Sequence, residues 1–427
     1  MEKQSQFVTT RVVPREYHAL VSNIETRAFY MERRFFMKFF HPIVWQLLAG
    51  TIFSRTASFM TLPFLAIYLQ NEFNASPILI GLAVGISQLT ATFGGFFGGF
   101  LTDRLGRKKI LICAIIGWSI VFYGFAFSTE VWMFIVWNAL NGICRSFFEP
   151  SSQAFMIDFT EEDKRRRLFS IRYTCINLSA VVGPLIGVAI SNASSMAFPF
   201  FITATMYAFI AIFFVIVLRQ VNEDDIEKST TGIAELVRAL VLDRTLMLLI
   251  VASIVCSFVF SQTDSTLSQL LNLTMADGIA LYSVLIAINA ATVLLFQLPL
   301  GILSEKVSIR VSLLFGGALL AIGMFCFHLA DSWTMFIVAM FIISLGEIFI
   351  FPMMSAIIEM IAPKNQKATY LGVMQFQNLG GFLGPIIGGW FIVHFMSELY
   401  FIMAGLSLVV IACYMLALRG KAYELKG

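Results

Sequence analysis

Charge is what this sequence has least of. Asp, Glu, Lys and Arg make up 13% of its 427 residues, and 58% are hydrophobic, with a mean hydropathy of +0.83. A soluble domain carries roughly twice that share of charge. So apolar a chain is solvated mainly by lipid. Its six cysteines, Cys113, Cys144, Cys175, Cys256, Cys326 and Cys413, lie in apolar runs without CxxC spacing. That excludes a disulfide frame and a thiolate metal site. The four histidines, His18, His41, His328 and His394, share no ligand spacing, so no metal and no cofactor are expected. No G-x-x-x-x-G-K-[ST] run occurs, which excludes drive by a nucleotide and leaves an ion gradient. The net charge of +3 gives no reason to expect a nucleic-acid partner. Nothing in the chain suggests an enzyme.

What is present is long apolar runs, each of about the 20 residues that a helix needs to cross a bilayer. Twelve can be drawn, near 43–70, 77–101, 110–128, 131–158, 168–191, 196–218, 246–272, 279–303, 310–330, 333–361, 369–394 and 398–418. They predict an N-terminal extension (1–42), a six-helix bundle (43–218), a linker (219–245), a second six-helix bundle (246–418) and a tail (419–427). Residues 1–42 lack the apolar core of a cleavable signal peptide. Within the linker, "IAELVRALVLD" has the pattern of an amphipathic helix lying on a membrane surface.

Lys and Arg are missing from one side altogether. The loops near 71–76, 129–130, 192–195, 273–278, 331–332 and 395–397 contain none, whereas 26 of the 29 basic residues fall in the tails, the linker and the alternate loops or their edges. By the positive-inside rule, both termini and the linker are expected in the cytoplasm, with the chain in the plasma membrane. The other three, Arg55, Arg145 and Arg172, lie within spans.

The halves repeat. Gly99 to Arg104, "GFLTDR", corresponds to Gly301 to Lys306, "GILSEK", at an offset of 202, as Pro150 does to Pro352; "NLSAVVGPLIG" from Asn177 corresponds to "NLGGFLGPIIG" from Asn378 at 201. Internal repeats of this kind mark secondary transporters, whose substrate site lies between the halves near the bilayer midplane.

Twelve spans in two repeated halves resemble the major facilitator superfamily. Its signature G-x-x-x-D-R-x-G-R-K is carried here by Gly99, Asp103, Arg104, Gly106, Arg107 and Lys108. The resemblance implies an all-α integral membrane protein, its twelve transmembrane helices in two pseudo-symmetric six-helix bundles. It also implies that this loop latches the halves in one state and releases them in the other, with Asp158 joining the network. Glycines 94, 95, 98 and 99 would allow a neighbouring helix to approach closely. Gly183, Pro184 and Gly187 resemble the G-P-x-x-G motif of drug:proton antiporters, although Val188 stands where the family has a second glycine. Gly384, Pro385 and Gly388 repeat the motif in span eleven. Both are read as places where a span bends.

Ionisable residues inside spans are costly, and each is a functional candidate. Three acids qualify: Glu149, Asp264 and Glu347. Asp264 lies in the polar run "QTDST", beginning at Gln262. Glu347 and Arg145 occupy equivalent positions in the two halves. "LGEIFIFP", "QTD" and "AFMIDFTEEDKRRR" are similar to Gram-positive multidrug antiporters that expel lipophilic cations. The resemblance implies that Asp264 and Glu347 carry protons or meet the drug. Arg145 and Glu149, one helical turn apart, are expected to pair. Arg55 and Arg172 are expected as counter-charges for Glu347 and Asp103, and Asn177, Gln297, Gln375 and Gln377 as links between helices. The function so implied is proton-coupled antiport of a small lipophilic molecule by a monomer surrounded by membrane lipid. The alternative is a lipid or glycolipid flippase, or a single-metabolite exporter, of the same fold.

Overall fold

The computed structural model describes residues 39–195, 197–219, 232–275, 277–396 and 398–419. Most of the N-terminal extension, the polar start of the linker and most of the tail lie outside these. The described residues form helices and no strand. In order, the spans are one (Pro42–Phe59 and Leu65–Phe73), two (Pro77–Leu105), three (Arg107–Ala126), four (Val131–Asp158), five (Arg165–Ala193) and six (Phe198–Leu218). After a short helix at Ile233–Leu242 come seven (Arg244–Ser261 and Leu267–Thr274), eight (Gly278–Glu305), nine (Ile309–Leu329), ten (Trp333–Ile361), eleven (Lys367–Val373 and Asn378–Phe395) and twelve (Leu399–Ala417).

Among the described residues, ten helices are long and apolar enough to cross a membrane. Spans one and four are not among them. The first is broken by the 3-10 turn Leu62–Phe64, at a proline that cannot donate. The second carries a polar face that includes Asn138, Asn141, Ser146, Glu149 and Gln153.

Local sequence sets several starts. Ser76 and Ser308 accept from the amides of Leu79 and Val311, and Asp243 from Leu246 at 3.0 Å, each satisfying a donor that the first turn leaves open. Two spans change pitch where the sequence-drawn runs are continuous. In span seven, Gln262–Thr266 forms a π-helical turn. There the Gln262 carboxamide donates to the Phe258 carbonyl (3.0 Å) and the Thr263 hydroxyl to that of Phe260 (2.7 Å), competing with the backbone ladder. In span eleven, Met374–Gln377 tightens to a 3-10 turn.

The halves pack alike. Span two lies on four, one on five and three on six; eight lies on ten, seven on eleven and nine on twelve. The first half has an aromatic core in which Trp118 stacks on Tyr207 at 5.0 Å and donates to Asn141 at 2.8 Å. Between the halves, span two meets eleven, and span five meets eight and ten. In lipid no hydrophobic gain drives such contacts, so close packing and hydrogen bonds carry them.

Candidate functional site: a sealed end and a charged midplane

The glycines of span two form two stripes. A Cβ on Gly94 would come within 2.3 Å of the Ser146 hydroxyl on span four, and one on Gly98 within 2.6 Å of the Ser146 carbonyl oxygen. On the other stripe, a Cβ on Gly95 would meet the Gly372 carbonyl at 2.4 Å, and one on Gly99 the Ala368 carbonyl at 2.2 Å. The backbones of spans two and eleven thus touch at the base-rich end of the molecule. One turn further, the Asp103 carboxylate accepts from the amides of Ala368 (3.2 Å) and Thr369 (2.7 Å) and from the Thr369 hydroxyl (2.7 Å). It caps the open N–H groups that begin span eleven, where a helix also favours negative charge.

The rest of the signature supports this cap. Gly106 has φ of 102°, a conformation that suits glycine, and it turns the chain directly into span three. Arg107 is fully buried, 3.8 Å from Asp103 and 2.5 Å from Asp158. Arg104 is exposed, over the Phe100 ring at 5.9 Å, and Lys108 is half-buried. Replacing Asp103 by Asn puts an NH₂ where donors already point and removes the charge. A hydrogen bond to a charged group is worth about 1.5–3 kcal/mol. Asp103→Asn is therefore expected to slow transport at least tenfold with substrate affinity unchanged; loss of binding in a direct assay would place Asp103 in the substrate site instead.

The repeat supplies a second seal that sequence reasoning missed. Arg167 grips Glu305, the counterpart of Asp103, through two bonds of 2.8 and 2.6 Å. Arg166 donates to the carbonyls of Ser304 and Val307, and Arg165 pairs with Glu359 at 2.7 Å, where Lys367 joins at 3.1 Å. Only the "RRR" run and the repeat offset could have pointed here.

The midplane charges pair differently from expectation. Glu149 is clamped between Arg55 of span one and Arg172 of span five. Arg172 therefore serves Glu149 and not Asp103, and Arg55 does not meet Glu347. Arg145 does not pair with Glu149; it donates to the Gln88 carboxamide oxygen at 3.3 Å. Glu149 is reached from the two neighbouring spans, which leaves it no need of its own helix.

Glu347 is 4% exposed and accepts from the Tyr173 hydroxyl of span five at 2.6 Å and the Asn289 carboxamide of span eight at 2.8 Å. Tyr173 belongs to the first half, so this bond crosses between the halves. Arg172 and Tyr173 are consecutive, and they tie span five to an acid in each half. Tyr173 stacks on Phe351 at 5.8 Å, and Phe351 meets Phe260 edge-on at 5.4 Å. Asp264 sits on the π turn of span seven, and its side chain is outside what the structure describes. Gln262 is fully buried: it accepts from Thr266 (2.7 Å) and donates to the Gly384 carbonyl (3.2 Å), anchoring span seven to eleven.

Gly384 and Gly388 make room for that anchor, since a Cβ on either would strike Ser261 or Gln262. Gly183 and Gly187 likewise admit span one at Thr56 and Met60. Both helices run on through Pro184 and Pro385. Asn177 and Gln375 bond within their own spans.

The sequence profile of the Major Facilitator Superfamily matches residues 47–290 and 256–426. The chain belongs to the Major Facilitator Superfamily. An uncharacterized MFS-type transporter of Bacillus subtilis, YqjV, is 34% identical over 355 residues, 82% of this chain and 86% of that one. A Na(+), Li(+), K(+)/H(+) antiporter of Planococcus maritimus is 27% identical over 384 residues, 81% and 89% of the two chains. The crystal structure of the human organic anion transporter MFSD10 (TETRAN) superposes with a TM-score of 0.73, covering 87% of this chain and 98% of that one at 16% identity. As a superfamily member, the chain is a multi-pass membrane transporter.

Proposed function

We propose that this chain is a proton-coupled antiporter of the plasma membrane that exports small lipophilic molecules by alternating access. The observation that carries the reading is the Tyr173–Glu347 bond, a carboxylate within the membrane held from the opposite half. An ionised Glu347 accepts a charge-assisted bond from Tyr173; a protonated one forms only a weaker neutral bond. Proton binding therefore loosens the tie between span five and span ten.

The export direction comes from the resemblance to multidrug antiporters, and the seal supports which end is closed in this conformation. The base-rich end is the cytoplasmic one by the positive-inside rule. With that end closed by Asp103 and by Arg165 to Arg167, the conformation accepts protons from outside. Protonation of Glu347 releases the tie, the halves rock, and the proton leaves to the cytoplasm as substrate enters. The antiporter among the relatives supports exchange against protons. Lipophilic cations as cargo rest on the resemblance of "LGEIFIFP" and "QTD" to multidrug antiporters.

The test is proteoliposomes containing a pH dye and loaded with candidate substrates. Substrate efflux is expected to draw protons inward. Protons moving in the same direction as substrate, or not at all, would rule antiport out. Topology has its own check: a cysteine at Asn192 should react with an impermeant reagent on intact cells, and one at Lys228 only after permeabilisation. The reverse pattern would overturn the orientation.

A further inference from the structure

The charges of the midplane are segregated between the halves. Within the spans of the first half, three arginines, Arg55, Arg145 and Arg172, accompany one carboxylate, Glu149, which pairs with Arg55 and Arg172, a formal excess of two positive charges. Arg145 lies one helical turn from Glu149 on the same span, so the three arginines are grouped around one position of the bundle. Glu347 lies on the other half, held by Tyr173 and Asn289.

Arg145 is the member without a counter-ion. Among the described residues its one hydrogen bond goes to neutral Gln88, its Nε is buried without a partner, and no carboxylate lies within ion-pair distance. The side chain is half-buried. On span four it lies between the face covered by Trp118 and the face that Gly142 turns to span two. A guanidinium left this way near mid-membrane is unfavourable unless a ligand completes it. Its remaining donors form a planar fork that suits carboxylate, sulfonate or phosphate oxygens. Tyr173, next in sequence to Arg172, forms with Phe351 and Phe260 a half-buried aromatic group between the halves, which can pack a flat apolar body.

We infer that Arg145 is the anchor of an anion-accepting site, and that the transported molecule is an amphipathic anion, with its acidic group on Arg145 and its apolar body on the Tyr173–Phe351 pair. This rests on the transport reading and replaces the cation that the resemblance implies. The same cluster that receives an anion repels a lipophilic cation.

The probes are 1-pyrenebutyrate and its trimethylammonium counterpart, which share one aromatic body and carry opposite charge. Binding is read by pyrene fluorescence on the purified full chain in detergent, without a gradient. The anion is expected to bind at least tenfold tighter than the cation. Arg145→Gln should lose about tenfold for the anion and abolish the preference, and Arg145→Lys should retain most of it. Equal or tighter binding of the cation, or unchanged anion affinity in a folded Arg145→Gln, would overturn the proposal. Should Arg145→Gln not fold, the wild-type comparison of the two probes decides alone. Phosphatidylglycerol added to the micelles separates the two sources of such an anion: displacement of pyrenebutyrate assigns the site to a lipid headgroup, and persistence to a free organic acid. Proton coupling is read separately, as substrate-driven proton movement in proteoliposomes of the wild-type protein, so a failure of antiport and a failure of anion selection give different results.

Discussion

Glu347→Gln should abolish proton-driven transport in proteoliposomes while the protein still folds and reaches the membrane. The carboxamide keeps the size of the side chain and can accept from the Tyr173 hydroxyl, but it cannot take up a proton. The tie between the halves then no longer depends on pH. Gradient-driven accumulation should fall to the level of empty vesicles, whereas binding persists and downhill exchange continues. Asp264→Asn should reduce the coupled rate strongly, as a second carboxyl within span seven. Coupled transport at the wild-type rate in the double variant Asp264→Asn, Glu347→Gln would show that the proton travels by another route. A variant of Tyr173, Tyr173→Phe, separates proton binding from its mechanical use. It keeps Glu347 and removes the bond across the halves, so coupling should weaken while substrate-linked proton release survives.

Gly372→Ala should open the base-rich end. A Cβ there would stand 2.1 Å from the Gly95 carbonyl oxygen, so the backbones of spans two and eleven must separate. Overpacking of this kind costs about 1–3 kcal/mol. Each 1.4 kcal/mol is roughly a tenfold change in a two-state population, so the closed form should lose ground by about one to two orders of magnitude. A cysteine at Ser170, buried at the sealed end beside Gly301, reports the change. Its labelling in the purified protein should quicken at least tenfold in the Gly372→Ala background. The control lies in the same span: a Cβ on Gly389 meets nothing within 4 Å, so Gly389→Ala should label as wild type does. Equal rates in all three proteins would mean that the glycine contact does not hold the seal.

The seal and the midplane differ in how far the sequence foretold them. Glycines at 94, 95, 98 and 99 repeat with helical spacing beside Asp103, and this pattern has one physical reading: a helix that neighbours approach closely. Glu347 stands out because an acid halfway along an apolar span is expensive. The pairings were not legible. Glu149 finds Arg55 from 94 positions away and Arg172 from 23, and the nearest basic residue along its own helix, Arg145, turns to span two instead. Proximity along a helix was outweighed by the partners that neighbouring spans bring to each side chain. Tyr173 is one of eleven tyrosines and carries no mark of its role; only its place on span five, opposite Glu347, creates it. The second seal was half visible, since Glu305 echoes Asp103, but its partners Arg165 to Arg167 appeared only as topogenic charge.

The π-helical turn at Gln262–Thr266 governs how the outer end of span seven is phased. A π turn holds one residue more than an α turn, so everything beyond it is rotated by about 100° relative to an uninterrupted α-helix. Leu267, Leu270 and Leu271 are buried with that extra residue present. Removing any one residue from the turn would swing all three away from their neighbours and bring polar positions such as Ser268 and Asn272 inward, whereas exchanging one residue for another leaves the phase intact. The polar run thus has a fixed length as well as a chemistry: its residue count is the offset that lets one helix present Gln262 to span eleven and its leucines to the core.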